Sequence, residues 1–219
     1  MKIAFVGDSF CSSNSQQAWH HLVSAQLGAT TACEGDGGAS LWAGYEKLKA
    51  VIHDIDTAVL CYTDAFRLPN PRNYPVNLGS VQYHRNGRQD VPHGVNNFPD
   101  TQLWDAAGLF YQHLLVEDYQ QLVHRLLIAH IDSMLAEANV RAVHFFSFEH
   151  IPMSFVSGPS CDIGLWPWLQ RCGKHSIELD TDPNHMSMSQ NHYVASKVCQ
   201  TLQNCDAQTF TLDHVPYNK

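Results

Sequence analysis

Over the first two-thirds of the chain, short apolar runs alternate with apolar residues at helical spacing. That is the pattern of a parallel sheet covered by helices on both faces. Residues 3–6 predict a first buried strand, and Trp19, Leu22, Val23 and Leu27 predict a helix over 15–27. Thr30–Cys33 predicts a short second strand, residues 41–52 a helix, and Thr57–Tyr62 a third strand apolar on both faces. Residues 66–104 break the rhythm: Pro69, Pro71, Pro75, Pro92 and Pro99 fall among Asn and Gly, which predicts a long irregular insertion. Apolar periodicity returns over 106–138 as one long or one broken helix, followed by a strand at Arg141–Phe146. A second irregular stretch at 151–167 precedes a short strand at 176–179 and a closing helix over 191–202. No internal repeat interrupts the series, so residues 1–219 are expected to form a single domain.

Charge and composition narrow the function classes. The 13 Lys and Arg against 21 Asp and Glu give a net charge of −8, with no basic cluster to hold phosphates, so nucleic acid is not an expected partner. The apolar start of the chain is too short for a signal core or a membrane span. The seven cysteines show no C-x-x-C pair and predict reduced thiols, hence a cytoplasmic protein with no membrane partner. Fourteen histidines raise the question of a metal, but H-E-x-x-H is absent. Adjacent His20 and His21 are expected to point from different helical faces, so neither a metal nor another cofactor is expected.

Chemistry concentrates where strands end. Gly7-Asp8-Ser9 follows the first strand, at the carboxyl edge where open parallel sheets place their ligand crevice; alone, it serves equally as a turn and helix cap. Gly35-Asp36-Gly37-Gly38-Ala39-Ser40 follows the second strand and offers glycine amides to an anion. It lacks the G-x-G-x-x-G spacing of a dinucleotide loop. Late in the chain, Asp182 and His185 stand three residues apart, a spacing that lets a carboxylate orient an imidazole facing a serine; the same residues also suit a helix cap. The aromatic and histidine residues of the insertion, Tyr74, Tyr83, His84, His93, Phe98 and Trp104, suit a lid or acceptor pocket, or a loop folded on its own side chains.

Together, these blocks resemble the SGNH (GDSL-type) hydrolase family. The resemblance implies a flavodoxin-like three-layer α/β/α sandwich with a mostly parallel sheet. It also implies esterase chemistry on a small-molecule ester, with Ser9 as nucleophile, His185 as general base and Asp182 as orienter. The Ser9 and Gly38 amides would form the oxyanion hole. At the third block, Cys61-Tyr62-Thr63-Asp64 replaces the family's Gly-x-Asn-Asp, placing Thr63 where the oxyanion asparagine belongs. Asp8, Asp64, Arg67 and Asn70 are the expected substrate contacts. Small O-acyl esters on a polar metabolite are the expected substrates. An O-acyltransferase using the same residues, a non-catalytic binding protein and a nucleotide-binding protein are the alternatives.

Overall fold

A computed structural model describes residues 1–70, 76–85, 101–174, 183–204 and 208–217. Six parallel strands, β1 (Lys2–Gly7), β2 (Thr30–Cys33), β3 (Thr57–Tyr62), β4 (Arg141–Phe146), β5 (Ser160–Cys161) and β6 (Thr209–Phe210), form one sheet in the order β2-β1-β3-β4-β5-β6. Helices cover both faces: α1 (Trp19–Leu27), α6 (Leu165–Arg171) and α7 (Met188–Gln203) on one, α2 (Leu41–Val51) and α5 (Glu117–Glu137) on the other. This is a three-layer α/β/α sandwich.

Strand periodicity divides the core into two halves. Ile3 and Phe5 of β1 join Val59, Val143 and Phe145 beneath α1, α6 and α7. Their neighbours Ala4 and Val6 join Leu60 and Phe146 beneath α2 and α5. Buried on both faces, the central strands read as continuous apolar runs. Crossing from β2 back over β1 to β3 creates a switch point at the carboxyl ends of β1 and β3, where open parallel sheets generally bind their ligands.

Several elements depart from the expectations above. The stretch read as irregular insertion contains α3 (Leu78–Arg85), and α4 (Thr101–Leu109) begins before it ends. Trp104 is buried with Val76, Val81 and Ala107. Tyr74, His93 and Phe98, the side chains of Tyr83 and His84, and the expected strand at 176–179 lie outside the described residues. The long apolar period is broken: a π turn at Phe110–Leu114 follows α4, and Val116, in extended conformation, starts α5. No pair of cysteines is bonded among the described residues. No described helix is long and apolar enough to cross a membrane.

One buried polar cluster ties the sheet to α5. The His144 ring accepts or donates at both nitrogens, to Tyr62 Oη at 2.9 Å and Ser157 Oγ at 3.0 Å, and stacks on Phe155 at 3.9 Å. Asp132 of α5 accepts from the Ser157 amide at 2.9 Å. Burial pushes the His144 imidazole well below its ordinary range, against the opposing pull of Asp132, so it is neutral in the fold. The unfolded chain protonates this histidine near pH 6.5 and the native state does not. Stability is therefore full above that pH and falls on acidification, by up to about 1.4 kcal/mol per pH unit from this one residue. Urea titrations are expected to show a lower midpoint at pH 5 than at pH 7, and His144→Gln is expected to flatten that slope while lowering stability throughout.

Candidate active site

The first crossover places a serine at the switch point. Gly7 ends β1 with φ +149°, and an added Cβ would lie 2.2 Å from the Cys61 carbonyl oxygen, so only glycine lets β1 and β3 close together here. Asp8 then caps a short turn, Ser9–Cys11, by accepting the Phe10 amide at 3.1 Å. Gly35 packs against this turn, donating to the Cys11 carbonyl at 3.0 Å, while the Asp36 amide donates to the Gly7 carbonyl at 3.1 Å. These bonds fix the loop that carries Gly38, whose φ is +75°. Among the described residues, neither the Ser9 nor the Gly38 amide has a hydrogen-bond partner.

The other half of the site comes from the turn before α7. Ser187 caps α7 in a reciprocal box with Gln190, and Asn191 Oδ1 accepts the Trp19 amide at 2.8 Å, thereby capping α1 as well. That anchorage holds the turn Pro183–His185 against the Ser9 segment. Asn184 and His185 both adopt positive φ, 54° and 64°, a sparsely populated conformation that costs about 1–3 kcal/mol per strained residue, with asparagine at the tolerant end. The result is a 2.7 Å contact between His185 Nε2 and Ser9 Oγ, with the imidazole seated edge-on against Phe10. Both residues are partly exposed. Asp182 lies outside the described residues.

Asp8 is not positioned to touch a substrate. Its carboxylate is fully buried and surrounded by donors: the Phe10 amide, Ser147 Oγ at 2.8 Å, Thr63 Oγ1 at 2.8 Å and Arg67 Nη1 at 3.5 Å. The expectation of a substrate contact is therefore corrected: Asp8 ties the carboxyl ends of β1, β3 and β4 together. The same bond corrects the reading of Thr63, whose hydroxyl proton is committed to Asp8 and is not aimed at an oxyanion. Asp64 Oδ1 accepts the Phe66 amide at 2.6 Å while the residue also lines the cleft beside Arg67, and Asn70 Nδ2 reaches the Leu68 carbonyl at 3.5 Å. Arg67 is better placed. Its guanidinium also donates to the Ala39 carbonyl at 3.3 Å, beside Gly38, and lies 5.1 Å over the Phe148 ring. Phe148 in turn meets Phe10 edge-on. A cleft of about 400 Å³ opens beside Arg67 and Phe148, with Asp64, Phe66, Asn77 and Tyr111 on its walls.

Three contributors were absent from the sequence reading. Ser147 follows β4 as Thr63 follows β3, and its place at the carboxyl edge was the available signal. Asn184 Nδ2 donates to the Phe10 carbonyl at 2.8 Å and lies 3.5 Å from the Ser9 carbonyl, lacing the histidine turn to the serine turn. Phe148 had no signal beyond its neighbours. The expectation for His20 and His21 is also corrected: their rings lie 4.2 Å apart, and each presents a nitrogen 3.6 Å from the Glu34 carboxylate. Burial, then the neighbouring His21, pushes the His20 imidazole down to about 3.

The chain matches no protein-family profile and no curated protein. Among solved structures it is similar to an acetyl xylan esterase, AlAXEase, at 14% identity over 97% of this chain and 77% of that one, with a TM-score of 0.39. At that level the likeness says nothing of the reaction, which has to be read from the side chains.

Proposed function

We propose that this protein is a serine esterase that cleaves small O-acyl esters through an acyl-enzyme. The observation that carries this reading is the 2.7 Å contact between Ser9 Oγ and His185 Nε2, made across 176 residues of sequence at the sheet's switch point. In the proposed reaction His185 takes the serine proton as Ser9 Oγ attacks the ester carbonyl. The tetrahedral oxyanion collapses as the alkoxide leaves with the proton from His185. Water, activated by the same imidazole, then attacks the acyl-enzyme and frees the acid and Ser9; an acceptor hydroxyl in place of water makes the reaction an acyl transfer. Asp182 is assigned the orienting role by its spacing from His185.

The oxyanion hole in this proposal differs from the family pattern. The Ser9 and Gly38 amides are the donors, and the Arg67 guanidinium supplies positive charge beside them in place of a side-chain amide. The cleft beside Arg67 and Phe148 suits a small acyl or alcohol group rather than a long lipid chain. Steady-state hydrolysis of p-nitrophenyl acetate tests the reading: turnover above the buffer rate that disappears in Ser9→Ala supports it. A folded wild-type protein without turnover, or turnover equal in the two proteins, overturns it.

Asn184 gives a finer check. Asn184→Gly keeps the positive φ accessible but removes the amide that laces the two turns, so the Ser9–His185 contact loosens. A fall in kcat of about 10- to 100-fold is expected, since small misplacement of reacting groups has effects on that scale. The fold is expected to lose about 1–2 kcal/mol in urea titrations.

A further inference from the structure

We infer that His20, His21 and Glu34 form a binding site for a divalent transition metal of the zinc type, on the side of the Ser9 and His185 turns facing α1. Nothing in this inference depends on ester cleavage.

The donor atoms converge from two elements. His20 and His21 stand in the first turn of α1, and Glu34 follows β2. One nitrogen of each ring and a carboxylate oxygen all lie within 4.8 Å of one another. Two imidazoles and a carboxylate make a frequent donor set for zinc, with donors about 2.0–2.2 Å from the metal. Drawing them onto one ion needs a contraction of about 1 Å. Glu34, the most exposed of the three at 34%, is free to make that movement.

His21 is held ready to ligate, and His20 becomes a ligand once its proton moves from Nε2 to Nδ1. His21 Nε2 lies 2.8 Å from the Ser13 carbonyl oxygen, which can only accept, so that nitrogen carries the proton and Nδ1 turns its lone pair toward Glu34. A backbone carbonyl holding the far nitrogen is the usual support of a metal-bound histidine. His20 is the second, independent observation. Its side chain is fully buried, and Nε2 has no hydrogen-bond partner although it points at the cluster. A buried ring nitrogen without a partner is destabilising, and a metal ion there removes that cost.

Occupancy also reaches the neighbouring site. The other nitrogen of His20, Nδ1, lies 3.3 Å from Asn184 Nδ2. When Nε2 ligates, the ring proton resides on Nδ1, which can then no longer accept from the Asn184 amide. That amide is the group that laces the His185 turn to Ser9, so metal and turn share one side chain.

The test is calorimetric titration of the full-length protein with zinc and with cobalt, the cobalt complex being followed by absorption as well. One saturable site per chain is expected, weakened about tenfold or more in both His21→Ala and Glu34→Gln, with circular dichroism unchanged. Both replaced side chains are partly exposed, so the variants are expected to fold. The cobalt spectrum is expected to show d–d bands without thiolate charge transfer, which separates this site from the cysteines. Absence of saturable binding, affinity equal to that of the wild-type protein in either variant, or a thiolate band overturns the inference.

Discussion

Asp8→Ala is expected to lower stability by about 3–5 kcal/mol and to abolish ester turnover, because it removes the acceptor around which three strand ends are organised. The carboxylate is fully buried, and its loss strands the Arg67 charge together with the Thr63 and Ser147 hydroxyls and the Phe10 amide. Asp8→Asn is expected to cost less, about 1–2 kcal/mol, since one oxygen still accepts and the hydroxyls can rotate to accept from the new amide. Turnover in Asp8→Asn should nevertheless fall, because Arg67 loses its counter-charge and shifts relative to Gly38. Urea titrations and p-nitrophenyl acetate kinetics on both variants check this. Equal stability of wild type and Asp8→Ala would show that the carboxylate does not organise the site.

His185→Ala is expected to lower kcat/KM by about 10⁴-fold or more, and Ser9→Ala by a similar factor. The double variant should be no slower than either single one. In the proposed mechanism nucleophile and base act as a unit across the 2.7 Å contact, so that removal of either leaves only the binding and oxyanion contributions. Additive losses in the double variant would mean that the residues do not share one step. His185 also carries a positive φ, a sparsely populated region that histidine enters more often than most residues. That conformation aims the imidazole at Ser9 from a tight turn, and the reciprocal capping at the start of α7 follows directly after it.

The central strands were legible because a strand buried on both faces leaves a continuous apolar run, as residues 3–6, Thr57–Tyr62 and Arg141–Phe146 do. β5 and β6 were not, since two residues each leave no period to detect. α6 was hidden by Pro167, which a first helical turn accommodates but which reads as a breaker. Ser9 and His185 were legible from the residue types at a strand end and a late turn, and the fold brings them into contact. The Asp8 cluster was not, because its donors are common hydroxyl residues far apart in sequence. The convergence of His20 with His21 escaped for a related reason: helical spacing describes where Cβ atoms point, while these rings turn toward Glu34, which arrives from another element.

The most direct test of the central claim is labelling of the folded protein with a fluorophosphonate probe, with the modified peptide identified by mass spectrometry. A single adduct is expected on Ser9, absent in Ser9→Ala and strongly reduced in His185→Ala. No adduct on the folded wild-type protein, or labelling of a residue other than Ser9, would contradict it.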